Sequence, residues 1–207
     1  MDVRQAYDQW SERYDTALNR TRDLEATAFR EVLAGVVFRE CLEIGCGTGK
    51  NTRWLADRCT RLTAVDLSPG MLSVAREKVK ADHVNFEEAD ILRPWTFADS
   101  RYDLVTFSLV LEHVEHLEPI LREVHDVLKP GGLVYIGELH PFKQYSGTKA
   151  RFETTAGTRV VNCFDHHLSD FVQAAKAAGL RVEDVREFFD TEDAKAPPRV
   201  LVLVLRK

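Results

Sequence analysis

At 207 residues the chain suits one domain with a single sizeable core. Its 44% hydrophobic and 29% charged content is ordinary for a soluble globular protein, and a net charge of -5 gives no overall footprint for nucleic acid or an anionic membrane surface. The polar, acidic start MDVRQAYDQWSERYD lacks the apolar core of a signal peptide, and the longest apolar run, VLVLVL at 200–205, is far too short to span a bilayer. Cysteines 41, 46, 59 and 163 show neither CxxC pairing nor disulfide spacing and read as free thiols, so the expected location is the cytoplasm.

Two amphipathic helices, about 2–17 and 23–38, precede the first strand. In the first, the spacing YDxWSxxYD sets Tyr7 and Tyr14 seven residues apart on one helix face. ECLEIG (40–45) reads as a strand and runs into CGTGK, so that Gly45, Gly47 and Gly49 crowd three of the chain's eleven glycines into five residues. Such a cluster marks a backbone conformation that side chains forbid, or a close approach to a ligand. A helix over 51–59 and a strand over 62–67 follow. Ser68 and Pro69 then open a helix as N-cap and first helical residue, with Leu72, Ala75 and Val79 on its apolar face. Strands are predicted at 84–90 and 102–108. The next helix buries Leu117, Ile120, Leu121, Val124 and Leu128, KPGG (129–132) breaks it, and 133–139 is a fifth strand.

Residues 140–165 form an insertion rich in polar and aromatic side chains, which as a long loop at the active face is expected to cover or read substrate. A helix over 166–178, with Asp165 as its N-cap, leads to strands at 181–189 and 197–207. These are joined without a helix and therefore form an antiparallel hairpin. The sum is an α/β, doubly wound, mainly parallel seven-stranded sheet with a C-terminal antiparallel hairpin and an N-terminal helical lid. One domain is expected: a helical cap (1–38), a cofactor-binding core (39–139), the substrate-loop insertion (140–165), and the last helix with the terminal hairpin (166–207).

A glycine loop between a first strand and a helix brings backbone N–H groups to a ligand at the strands' carboxyl ends. Dinucleotide sites carry G-x-G-x-x-G; here the spacing is G-x-G-x-G, preceded by Glu43. Asp66, at the end of the second strand, can accept hydrogen bonds from two ribose hydroxyls, and Asp90, ending the third, can accept from an adenine amino group.

E-x-G-x-G-x-G, Asp66, Asp90 and YDLVTFSLVLEHVEHLEPILREVHDVLKPGG, in that order, resemble the class I S-adenosylmethionine-dependent methyltransferases of the small-molecule type 11 branch, over roughly 38–139. The resemblance implies S-adenosyl-L-methionine as cofactor and S-adenosyl-L-homocysteine as product. It implies that Gly45, Gly47 and Gly49 let the backbone approach the methionine part, with Glu43 positioning that loop from below. Asp66 would hold the ribose, Leu67 and Met71 flank the adenine, Asp90 and the Ile91 N–H read its edge, and Ser108 or its neighbour accept from the amino group. Tyr7 and Tyr14 would close the site.

An oxygen nucleophile of high pKa wants a base, and histidine is the usual one near neutral pH. His140, after the fifth strand, and His166 or His167, in CFDHH, are the candidates. His113, Tyr145 and Arg151 are candidate substrate contacts. LEHVEH and CFDHH also invite a metal reading, but neither supplies ligand pairs at a supporting spacing, so no metal is expected. After the fourth strand the chain reads SLVL rather than the N/D-P-P-Y/F used on exocyclic amines of bases and glutamine. The expected reaction is methyl transfer to an O or N atom of a small metabolite, with neither nucleic acid nor membrane as partner. The alternative is a cofactor-binding protein of the same fold with a non-methylating or regulatory role.

Overall fold

In chain order the computed structural model contains α1 (Val3–Trp10), α2 (Arg20–Leu33), β1 (Glu40–Ile44), α3 (Lys50–Ala56), β2 (Arg61–Asp66), α4 (Pro69–Lys78), β3 (Val84–Glu88), β4 (Tyr102–Ser108), α5 (Leu117–Val127) and β5 (Leu128–Leu139). Then come α6 (Pro141–Tyr145), β6 (Arg151–Thr154), β7 (Gly157–Val160), α7 (Leu168–Ala177), β8 (Arg181–Phe188) and β9 (Val200–Arg206). The structure describes residues 2–98, 101–154, 157–190 and 196–207, without the side chains of 151–154, 158 and 159. Among them, no helix is long and apolar enough to cross a membrane.

The main sheet has seven strands in the order β3-β2-β1-β4-β5-β9-β8. The first five are parallel, and β9 pairs antiparallel with both β5 and β8. Helices on both faces leave the central strands buried on both sides. Side chains alternate between two cores. Leu42, Ile44, Val105, Phe107, Leu201 and Leu203 pack with α5 and α7. Cys41, Leu104, Val200 and Val202 pack with Phe29 and Leu33 of α2 and Leu55 of α3. Truncating a fully buried ring such as Phe107 to Ala would cost about 3–5 kcal/mol. The chain winds outward from β1 in one direction to β2 and β3, and from β4 in the other, so the crevice opens at the carboxyl ends of β1 and β4.

The structure moves several predicted boundaries. The first helix ends at Trp10 and passes into a 3-10 turn at Ser11–Arg13, instead of reaching 17. There the Ser11 hydroxyl donates to the carbonyl of Asp8 (2.9 Å), which competes with the helical ladder. The second helix starts at Arg20, not 23, because the Asn19 side chain caps it by accepting from the N–H of Arg22 (3.0 Å). KPGG ends α5 but lies within β5, since Gly131 and Gly132 exchange backbone hydrogen bonds with Lys207. The insertion is not a bare loop: it holds α6 and an antiparallel hairpin of β6 and β7, after which Val161 packs against Ala6 and Trp10 of α1. The last helix is capped by His167, whose N–H donates to Asp170 (2.8 Å), and not by Asp165.

Candidate active site

The three loop glycines all have positive φ, and each meets different surroundings. A Cβ on Gly45 would lie 2.2 Å from Cγ2 of Val110, so the loop after β4 occupies that space. On Gly49 it would press on Ala75 of α4 at 3.2 Å. On Gly47 it would meet nothing within 4 Å, because that residue borders a cavity. The loop is fixed from two sides. The Gly47 N–H donates to Asp66 Oδ2 (2.8 Å), and the other oxygen of Asp66 accepts from the N–H of Ser68 (2.9 Å). The Thr48 hydroxyl donates to Asp15 (2.7 Å). Enclosure by protein pushes the Asp66 carboxyl up to about 6, against the lowering effect of the Ser68 and Gly47 N–H groups.

That cavity, of about 230 Å³, lies at the ends of β1, β2 and β4. Its wall carries Tyr7, Tyr14, Gly45, Gly47, Asp66 and Leu67, then Met71, Asp90, Ile91, Ser108 and His113. Glu43 and Gly49 lie off the wall. Glu43 is buried beneath the loop, accepts from the Thr52 hydroxyl (2.6 Å), and is pushed up to about 8 by burial. Asp90 accepts from the N–H of Leu92 (2.9 Å), which leaves its carboxylate with further acceptor capacity.

The roof is α1 and the turn that follows it. Asp8 accepts from the Ser68 hydroxyl (2.5 Å) and from the N–H of Gly70 (3.1 Å), tying α1 to the start of α4. Arg4 pairs with Glu88 of β3, and the Tyr7 hydroxyl bonds Nε2 of His113 (2.9 Å). Arg22 lies 5.1 Å over the Tyr14 ring and donates to the carbonyls of Tyr14 and Ala17. The two tyrosines therefore meet at the cavity, with ring centroids 6.2 Å apart, although the helix stops between them.

A second cavity, of about 390 Å³, shares Tyr7, Tyr14 and Leu109 with the first. Arg20 and Thr21 of α2, Glu112, Lys149 and Arg199 also line it. Leu109 has φ +57, the only positive value among the described non-glycine residues. It is held there because its N–H donates to the carbonyl of Gly137 (2.8 Å), while the N–H groups of Val110 and Leu111 both donate to Glu138 Oε1 (3.0 and 2.8 Å). Burial pushes Glu138 up to about 8.

The methyltransferase-domain family model Methyltransf_11 matches residues 42–136. A ubiquinone biosynthesis O-methyltransferase of Xanthomonas euvesicatoria pv. vesicatoria (strain 85-10) is 32% identical over 187 residues, covering 82% of this chain and 72% of that protein. The chain belongs to the class I S-adenosylmethionine-dependent methyltransferases. A malonyl-[acyl-carrier protein] O-methyltransferase of Serratia marcescens is 35% identical over 100 residues, 48% of this chain but only 38% of that protein's length. The solved complex of DhpI with SAH superposes with a TM-score of 0.77 at 25% identity, covering 98% of this chain and 93% of that one.

In this methyltransferase the histidines that the sequence offers as bases lie on neither described cavity wall. His140 caps α6: its Nδ1 accepts from the N–H of Phe142 (3.2 Å), so the proton sits on Nε2 and is given to Glu187 (2.9 Å). Burial lowers its pKa against the raising effect of Glu187. His166 is buried, with Nε2 on the carbonyl of Val114 (2.7 Å). His167 bonds the Tyr145 hydroxyl (2.6 Å) outside both cavities. The Arg151 side chain lies outside the described residues. CFDHH does not converge: Asp165 faces Lys149 (3.6 Å), and among the described residues no group of three His, Cys, Asp or Glu side chains is arranged to hold a metal.

His113 is the one histidine on a described cavity wall. Its Nδ1 must donate to the carbonyl of Asn162 (2.8 Å), so in the neutral ring Nε2 accepts, here from Tyr7. Sequence reasoning missed Arg4, Asp8, Asp15 and Leu109. A signal existed for two of them, because each aspartate directly follows a cavity tyrosine in YDQWSERYD.

Proposed function

We propose that the protein transfers a methyl group from S-adenosylmethionine to an oxygen or nitrogen atom of a small metabolite. The carrying observation is the pair of cavities joined at Tyr7, Tyr14 and Leu109, one against the glycine loop and one facing the insertion. The first suits an S-adenosyl group: Gly47 is bare toward it, Asp66 offers a carboxylate to hydroxyls, and Leu67, Met71 and Ile91 offer apolar surface to a flat ring. Asp90 with the Ile91 N–H would read the ring edge, and the residues around Ser108 would hold the amino-acid end. When bound, the cofactor supplies an electrophilic methyl on a sulfonium that is already a good leaving group.

The chain's own work is positioning and exclusion of water. Holding a nucleophile at near-attack distance can supply roughly 7–11 kcal/mol of barrier lowering. Tyr7 and Tyr14 roof the meeting point of the cavities and keep solvent from the nucleophile. A hydroxyl acceptor that displaces the Tyr7 hydroxyl from Nε2 of His113 gives its proton to that nitrogen. The two O-methyltransferase relatives favour oxygen as the acceptor atom.

The test is incubation with methyl-labelled S-adenosylmethionine and cell extract separated into small molecules, protein and nucleic acid. Label is expected in the small-molecule fraction; label confined to protein or RNA overturns the reading. With a hydroxyl acceptor in hand, His113→Gln should lower kcat by about 100-fold or more, whereas His167→Gln should leave it unchanged. An undiminished kcat in His113→Gln removes His113 as base.

A further inference from the structure

We infer that the second cavity is an anion subsite that holds an acidic oxygen group of the acceptor, a carboxylate or a phosphoryl-type group, between Arg20, Lys149 and Arg199. This rests on the proposed reading of the protein as a small-molecule methyltransferase with its cofactor in the first cavity, and it takes the second cavity as the place of the acceptor. The two cavities carry opposite charge. The first is walled by Asp2, Asp66 and Asp90 against the single cation Arg4, which Glu88 neutralises. That balance suits a cofactor whose sulfonium and ammonium outweigh its single carboxylate. The second is walled by three cations against one acid, Glu112, while Asp190 pairs with Arg199 and Asp165 with Lys149 from outside the wall. Glu112 is buried, which raises its pKa and favours the uncharged form, so it offsets the cations only in part.

The three cations come from distant parts of the chain and are not equally engaged. Arg199 is fixed: it pairs with Asp190 through Nε and donates from Nη1 to the Thr21 hydroxyl (3.1 Å). It is a preorganised fork with its remaining donors unassigned among the described residues. Lys149 has only a loose partner, Asp165 at 3.6 Å. Arg20 makes no ion pair at contact distance among the described residues, although the Asp190 carboxylate feels its charge. It opens α2, a fourteen-residue helix whose positive end adds to the field in the cavity. One anchored arginine, one loosely paired lysine and one arginine without an ion pair at contact distance among the described residues make a site for a small oxyanion. Such a group would leave the rest of the acceptor facing the boundary at Leu109, where the methyl donor is reached.

The test uses the whole protein saturated with S-adenosylhomocysteine and follows binding of succinate, methylphosphonate and neutral succinamide by calorimetry. Both or one of the anions should bind and succinamide should not; the preferred anion tells a carboxylate from a phosphoryl acceptor. Arg20→Gln and Lys149→Gln should each weaken that binding by about fivefold or more, and the double variant should abolish it, with S-adenosylhomocysteine affinity unchanged. Arg199 is left intact because it also anchors Asp190. Absence of anion binding, equal binding of succinamide, or undiminished binding in the double variant overturns the subsite. If anions bind through Arg20 and Lys149 but no small molecule is ever methylated, the subsite stands and the transferase reading falls. If a neutral acceptor is methylated at a rate the anions do not inhibit, the reverse holds.

Discussion

The two cavities meet at the same two tyrosine rings but are made of different material. The first is built around a glycine loop, the ends of three strands and one carboxylate that ties loop to helix, with every lining residue drawn from the first 114 positions. The second is mostly side chain, gathered from segments as remote as Thr21 and Arg199, which touch each other across 178 positions. A backbone-built pocket serves a ligand that is the same for a whole family. A pocket assembled from scattered side chains can be rewritten one residue at a time without disturbing the sheet.

The largest effects should come from separating the loop glycines. Gly45→Val drives a Cβ into Val110 at a left-handed φ, so it should destabilise the fold by about 1–3 kcal/mol or more. Gly47→Val faces open cavity and should abolish S-adenosylhomocysteine binding with a smaller loss of stability. Urea melts and calorimetry on both variants decide this; Gly47→Val that binds like the parent would mean the loop does not face the cofactor.

Asp66→Ala comes next, with an expected loss of about 1–3 kcal/mol in cofactor affinity through the missing charged acceptor. Part of that loss should appear as loosening of the loop, since Gly47 and Ser68 lose the same carboxylate. An unchanged affinity in a folded variant would refute the assignment.

Acid titration then distinguishes the backbone-built region from its surroundings. Burial lifts Glu43 and Glu138 to about 8 and Glu25 to about 7, all from an ordinary 4.5. The native state thus binds more protons than the unfolded chain between those values, and stability is greatest below 4.5 on this account and falls as pH rises toward 8. Glu138→Gln should flatten the upper part of that slope, measured as melting temperature between pH 5 and pH 8. A slope identical to the parent's would show that Glu138 titrates normally.

The smallest effect is expected at the roof. Tyr7→Phe removes one hydrogen bond to His113 and should cost about 0.5–1.5 kcal/mol. Hydrogen exchange over residues 5–18 should slow when S-adenosylhomocysteine binds the parent and slow less in the variant. Equal exchange with and without ligand would make α1 ordinary packing.

How far the sequence could be read follows the same division. The strands, their succession along the chain and the glycine loop at the end of the first were legible because consecutive residues carry them. The end of α1 was not, because one hydroxyl of Ser11 outcompetes the helical ladder. Residues 140–165 hide a short helix and a hairpin because their polar and aromatic residues follow neither helical nor strand period. Residue type alone also could not tell that both ring nitrogens of His140 are already engaged. Nor could it place Arg20 beside Arg199, which only the folded sheet brings together.

The shared tyrosine wall has a kinetic consequence. Because Tyr7 and Tyr14 border both cavities, any movement of α1 would reshape both walls at once, and the contacts at Asp8, Asp15 and His113 oppose it. Were that movement to limit turnover, kcat would drop with added viscogen and rise when the Asp8 contact with Ser68 and Gly70 is cut.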